Sequence, residues 1–155
     1  MPTNPWGEPL EIERKFLVSS LPEDLEKYPH SELIQAYINA SPVIRIRKDR
    51  DRCELTVKGS GLLSHEELNL PLTEEAYLHL LEKHEGKVIE KTRYRIPFGD
   101  LTIELDLFHG FLEGKILAEV EFPDEDAALS FIPPGWFKED VTYDPAWHNA
   151  VMAYS

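Results

Sequence analysis

The chain has 155 residues, 42% of them hydrophobic, which is enough for one core of ordinary size and too apolar for a disordered chain. Its formal net charge is −13 and its pI about 4.8, which excludes general electrostatic binding of nucleic acid. The single cysteine, Cys53, excludes an intrachain disulfide and predicts a reducing, cytoplasmic compartment. No apolar run nears the roughly 20 residues of a membrane span, which predicts no membrane role.

Residues 1–8 are turn-rich and read as a flexible tail, without the basic and apolar regions of a signal peptide. The rest, with no repeat and no linker, reads as a single domain over 1–155. Strands are predicted at Leu10–Val18, Leu33–Ala40, Val43–Lys48, Cys53–Lys58 and Glu66–Leu70, with a helical turn between Pro22 and Tyr28. Thr73 to His84 reads as a helix, capped by Thr73, with Glu74 and Glu75 in its first turn and Gly86 as its stop. Long strands follow at Val88–Phe98, Leu101–Phe108 and Ile116–Phe122, the first two joined by a Gly99-Asp100 turn. Asp124 caps a short helix to Phe131, and another is predicted over Ala146–Ala153. The predicted class is mainly β (α+β), an antiparallel barrel of roughly eight strands with a few short helices outside.

Alternate side chains of a strand share a face. Glu11, Glu13 and Lys15 fall opposite Ile12, Arg14 and Phe16. Arg45 and Arg47 oppose Ile44 and Ile46, while Glu54, Thr56 and Lys58 oppose Leu55 and Val57. Glu67 and Asn69 oppose Leu68 and Leu70, and Lys91, Arg93 and Arg95 oppose Tyr94 and Ile96. Thr102, Glu104 and Asp106 oppose Ile103, Leu105 and Leu107, and Glu119 and Glu121 oppose Val120 and Phe122. A charged strand face usually looks at water. Here the charges are segregated by strand and the apolar faces are continuous enough to be covered by helices. The charged faces are therefore expected to close around a lumen that holds a small ligand. Arg and Lys donate to phosphate oxygens, and paired carboxylates are hard ligands for Mg²⁺ or Mn²⁺. Together they describe a polyphosphate with its divalent metal.

These residues resemble the triphosphate tunnel metalloenzymes of the CYTH superfamily. The resemblance rests on Glu11-x-Glu13-x-Lys15, then Arg45-x-Arg47, Lys58, Glu67, Lys91-Thr92-Arg93-Tyr94, Glu104-x-Asp106 and Glu119-Val120-Glu121-Phe122 in order. It covers the chain from about Leu10 onward and implies an eight-stranded antiparallel tunnel. It further implies that Glu11, Glu13 and Glu121 hold a metal bridging the phosphates, with Glu67, Asp106 and Glu119 near a second. Lys15, Arg45, Arg47, Lys58 and Arg93 would bind the triphosphate, Arg93 also neutralising charge in the reaction. Lys91 would either activate water or serve as another phosphate-binding lysine. Glu104 would pair with the basic strands. Many relatives carry a second acidic residue where this chain has Asn69.

The implied activity is divalent-metal-dependent hydrolysis of a triphosphate, first of all inorganic tripolyphosphate, using one or two Mg²⁺ or Mn²⁺. The alternatives are a thiamine, nucleoside or RNA triphosphatase, then a class IV adenylyl cyclase, then a non-catalytic polyphosphate-binding module. A homodimer is the base-rate expectation for a soluble protein. The histidines show no metal-ligand spacing, and surface positions are predicted for His65, His79, His84 and His109. Cys53 is expected on the barrel's outer side, and Trp136, Phe137 and Trp147 at its end.

Overall fold

The computed structural model describes residues 10–155; the tail expected over 1–8 lies outside them. In chain order the elements are β1 (Glu11–Val18), a 3-10 turn (Leu25–Lys27), β2 (His30–Asn39), β3 (Val43–Asp49), β4 (Arg52–Lys58), β5 (Ser64–His65) and β6 (Glu67–Leu72). They continue with α1 (Glu74–Leu81), β7 (Glu85–Phe98), β8 (Leu101–Phe108), a 3-10 turn (Gly110–Leu112), β9 (Ile116–Glu121) and α2 (Glu125–Ser130). The last are β10 (Phe137–Asp140), a 3-10 turn (Pro145–Trp147) and α3 (Asn149–Tyr154). Strand order is β10-β1-β9-β8-β7-β2-β3-β4-β6, with β5 on β1. Every pairing is antiparallel.

The fold is the mainly-β, antiparallel class that the strand patterns predict, with two corrections. Among the described residues the sheet has ten strands, and its ladder does not close into an unbroken ring. The reason lies in residues 64–72. Ser64 and His65 pair with Ile12 and Glu11 of β1, whereas Glu67 to Leu72 pair with β4, and Glu66 belongs to neither ladder. The outer edge of β1 is then shared, β5 taking its start and β10 taking Phe16 and Val18. One stretch of chain thus spans the two sides of the tunnel.

Most apolar strand faces point outward and are buried under helices, whereas Leu70 of β6 stays exposed. Ile12, Phe16, Ile103, Leu105, Val120 and Phe122 pack with Ala128 of α2 and with Phe137. Ala36, Ile46 and Cys53 pack under Tyr77 of α1. The interior also has an apolar end, where Tyr37, Ile89, Phe108 and Leu117 meet Met152 and Ala153 of α3, with Trp147 against them. Burial of each such aliphatic or aromatic side chain contributes on the order of 1.5–3 kcal/mol. That contribution offsets the cost of turning charge inward.

Local signals set the helix starts. Thr73 accepts a hydrogen bond from the Ala76 amide at 3.1 Å, and Asp124 accepts one from the Ala127 amide at 2.7 Å. Asp124→Ala is expected to cost about 1 kcal/mol, read as a lower urea midpoint at unchanged slope; no shift would mean that packing of α2 alone sets its start. Gly86 does not stop α1 directly; it lies within β7 at φ +61°. A side chain there would collide with the Ala153 carbonyl, so the glycine lets α3 seat against β7. Among the described residues no helix is long and apolar enough to cross a membrane.

Candidate active site

The interior holds a cavity of about 550 Å³. Its wall contains Glu11, Glu13, Lys15, Arg45, Arg47, Lys58, Glu67, Lys91, Arg93, Glu119 and Glu121, which is every predicted site residue except Asp106. Register explains the convergence. Glu13 faces Glu121 and Lys15 faces Glu119 across β1 and β9. Arg93 faces Asp106 across β7 and β8, Arg45 faces Thr56 across β3 and β4, and Lys58 faces Glu67 across β4 and β6. Carboxylates from β1, β9 and β6 stand opposite cations from β3, β4 and β7.

Asp106 lies behind the cation wall. It is 0% exposed. Its two oxygens accept from Arg93 Nε and Nη2, each at 2.8 Å, and Oδ2 stands 2.9 Å from Lys91 Nζ. Arg93 also reaches Glu104 at 3.1 Å, the pairing expected of that residue. Such bidentate, charge-assisted bonds orient the guanidinium firmly. Lys91 Nζ also donates to Asn149 of α3, whose Oδ1 accepts at 2.8 Å and also accepts from Gln35 Nε2 at 3.1 Å. The helix that closes the tunnel's end therefore also fixes the lysine.

Asn69 has a defined part. Arg45 Nη2 donates to Thr56 Oγ1 at 3.1 Å, Thr56 Oγ1 donates to Asn69 Oδ1 at 2.6 Å, and Asn69 Nδ2 donates to Glu67 Oε2 at 3.1 Å. The amide joins the basic wall to the acidic one, a bridge that needs a donor as well as an acceptor and that an ionised carboxylate could not form.

The crowding shows in proton affinities. Burial pushes the Glu11 carboxyl up to about 10, helped by its hydrogen bond to Glu67 and opposed by Lys58. Glu67 moves the other way, to about 2: burial works against ionisation, but the Glu11 bond, Lys58 and Asn69 prevail. The two carboxyls share one proton. Glu121 is ringed by protein yet reached by water through the cavity; loss of solvation, then Glu104, Glu13, Glu67 and Glu119, push it up to about 7. Glu13 and Glu119 resist burial because of Lys15, 3.1 and 3.0 Å away, and stay below the usual carboxylate range. Arg45 beside it, then burial, lower Arg47 to about 10. Burial lowers Lys91 to about 8, with Asp106 opposing and Arg93 reinforcing.

Carboxyls that keep protons above their ordinary range mark a place short of positive charge. One ligand atom from each of Glu11, Glu13 and His65 lies within 4.8 Å of the others. The donor set therefore fits a divalent cation, whose binding would release the shared proton.

Several wall residues escaped sequence reasoning. His65 is buried in the cavity wall, not at the surface, because β5 carries it into register with Glu11. The signal was its alternation with Glu67 and Asn69, hidden by placing the strand start at Glu66. Asn149 and His148 reach the wall from the distant C-terminal segment, and Gln35, fully buried in an apolar run, donates to Asn149; nothing local marks them. Cys53 lies under α1 on the outer side, as expected. Glu54 and Arg95 make ion pairs, with Arg47 and Asp49.

The CYTH domain profile matches residues 9–130. An inorganic triphosphatase of Nitrosomonas europaea is 41% identical over 151 residues, covering 94% of this chain and 97% of that protein. One from Acetivibrio thermocellus is 39% identical over 149 residues, covering 90% of each. The crystal structure of the inorganic triphosphatase NE1496 superposes with a TM-score of 0.69 at 36% identity, covering 94% of this chain and 95% of that one.

Proposed function

Because this chain belongs to the CYTH domain family, we propose that it hydrolyses inorganic triphosphate to pyrophosphate and phosphate within the charged tunnel. The observation that carries this reading is the opposition of two walls in one cavity, carboxylates of β1, β9 and β6 against cations of β3, β4 and β7. The wall is also unsuited to a base or a thiazole ring. Among the described residues it includes no Trp or Phe, and its one tyrosine, Tyr37, receives a hydrogen bond from Gln35 and packs under α3.

In this reading Lys15, Arg45, Arg47, Lys58 and Arg93 bind the phosphate oxygens. Arg45, Arg47 and Arg93 neutralise charge that builds on them as the bond breaks. Glu11, Glu13 and Glu121 hold a divalent cation, Mg²⁺ or Mn²⁺, with Glu67 and Glu119 beside a second. When bound, the cation supplies positive charge against the phosphate oxygens. Asp106 serves as the counter-ion of Lys91 and Arg93, since both of its oxygens are already engaged. Lys91 accepts the proton of the attacking water, and Asn149 positions it. The free thiol Cys53 is in keeping with a reducing, cytoplasmic setting.

The test is product analysis after incubating the chain with tripolyphosphate, ATP and thiamine triphosphate, each with Mg²⁺, Mn²⁺ or chelator. Phosphate and pyrophosphate should form from tripolyphosphate at least about ten-fold faster than from either organic substrate, and chelator should stop it. Glu13→Gln should lower that turnover by about 10–100-fold. Cyclic AMP with pyrophosphate from ATP would move the chain to a cyclase, and binding without turnover would make it a polyphosphate-binding module.

A further inference from the structure

His65 is an unusual member of the cavity wall. It is 7% exposed, and its Nε2 has no hydrogen-bond partner among the described residues. A buried ring nitrogen left unbonded is rare and calls for a cause. The nearest carboxyl oxygen, Glu11 Oε1, is 3.5 Å away. Strand pairing sets His65 directly opposite Glu11, and Glu13 follows two residues later on the same face.

The donors are spaced for chelation. Ligand atoms bound to one ion at about 2.1 Å stand about 3 Å apart when adjacent and about 4.2 Å apart when opposite. One atom from each of these three residues falls within 4.8 Å of the other two. An anion would meet the carboxylates of Glu11 and Glu13 at the same place, so a phosphate oxygen is the poorer occupant. Imidazole favours borderline transition metals, whereas Mg²⁺ favours oxygen donors and retains its water.

We propose that His65 completes, with Glu11 and Glu13, a mixed imidazole–carboxylate site that takes a first-row transition-metal dication in preference to Mg²⁺. The proposal deepens the reading of the tunnel as a metal-dependent triphosphatase and rests on it. It makes His65 the residue that sets which metal the enzyme prefers.

The test uses the full chain stripped with chelator, without phosphate, titrated calorimetrically with Zn²⁺, Mn²⁺ and Mg²⁺. Affinity should run Zn²⁺ over Mn²⁺ over Mg²⁺. His65→Gln should weaken Zn²⁺ by about ten-fold or more while moving Mg²⁺ by less than about three-fold. Pulsed electron paramagnetic resonance of the Mn²⁺-loaded protein should show a histidine nitrogen coupling, identified by ¹⁵N-histidine labelling and absent from His65→Gln. If that variant fails to fold by circular dichroism, His148→Gln serves instead: the coupling should persist there, and its loss would assign the nitrogen to His148 and overturn the proposal. Absence of coupling in the wild type, or its survival in folded His65→Gln, overturns it too. Hydrolysis of tripolyphosphate with Mg²⁺ but no nitrogen coupling would sink this site and leave the triphosphatase reading standing. A His65-dependent Zn²⁺ site in a chain that hydrolyses nothing would do the reverse.

Discussion

Lys91→Ala is expected to lower tripolyphosphate turnover by about 10²–10⁴-fold, the usual contribution of a positioned general base. The lysine is 2% exposed and held by Asp106 and Asn149, so its Nζ has one place in the cavity wall, with its third position left for the attacking water. Burial first, reinforced by Arg93 against Asp106, brings it down to about 8. A base must be neutral to accept a proton, so the wild-type rate should fall as pH drops through about 8 and level off above it. Lys91→Ala should remove that limb as well as lowering the rate. A variant with near-normal turnover across the pH range would remove Lys91 from the chemistry. A large loss with the limb intact would make it a phosphate-binding lysine. Steady-state rates from pH 6 to 10, at saturating metal, decide among these.

Asp106→Ala should be the most damaging single change to the fold. It strips the carboxylate from two buried cations, Lys91 at 2.9 Å and Arg93 at 2.8 Å. Breaking a buried pair while leaving its partner charged costs about 3–5 kcal/mol. For a chain of this size that corresponds to a melting temperature lower by about 10–15 °C. Asp106→Asn, which keeps an acceptor, should cost less. The pH dependence has a definite sign. Burial opposes ionisation, but Arg93 and Lys91 hold the carboxyl below its ordinary value in the folded state. Its contribution is thus complete above the unfolded value of about 3.9 and is lost as pH falls through the lower folded value. Urea denaturation at pH 7 measures the cost; a loss below about 1 kcal/mol would mean that water reaches the cations and solvates them.

Much of the site was legible from residue alternation. Glu11, Glu13 and Lys15, or Lys91 and Arg93, share a face whatever the strand packs against, and the structure brings them to one cavity. Both helix caps were legible too, since Thr73 and Asp124 act on amides three residues away. The strand count was less so. β5 is two residues long, too short for a period to register, and β10 is defined by the edge of β1 that it covers. His65 was lost with β5. Asn149 was lost because its function lies 58 positions away, at Lys91, and a helix of six residues carries no pattern that points there.

The sequence by itself determined that this protein would be a β structure whose strands carry one apolar and one charged face, because period-two alternation is a local property of each strand. It also pointed to the chemistry of the ligand, because cations suited to phosphate and carboxylates suited to a divalent metal share the charged strand faces. Only the tertiary structure decided which charges meet. Asp106 and Glu121 are both acidic residues at alternate strand positions, yet one is sealed between two cations and the other opens on the cavity. That difference depends on register with β7 and β1 and on where α3 closes the tunnel. These contacts join residues far apart in the chain, and desolvation and Coulomb interaction act on the assembled neighbours, not on the order of residues along a strand.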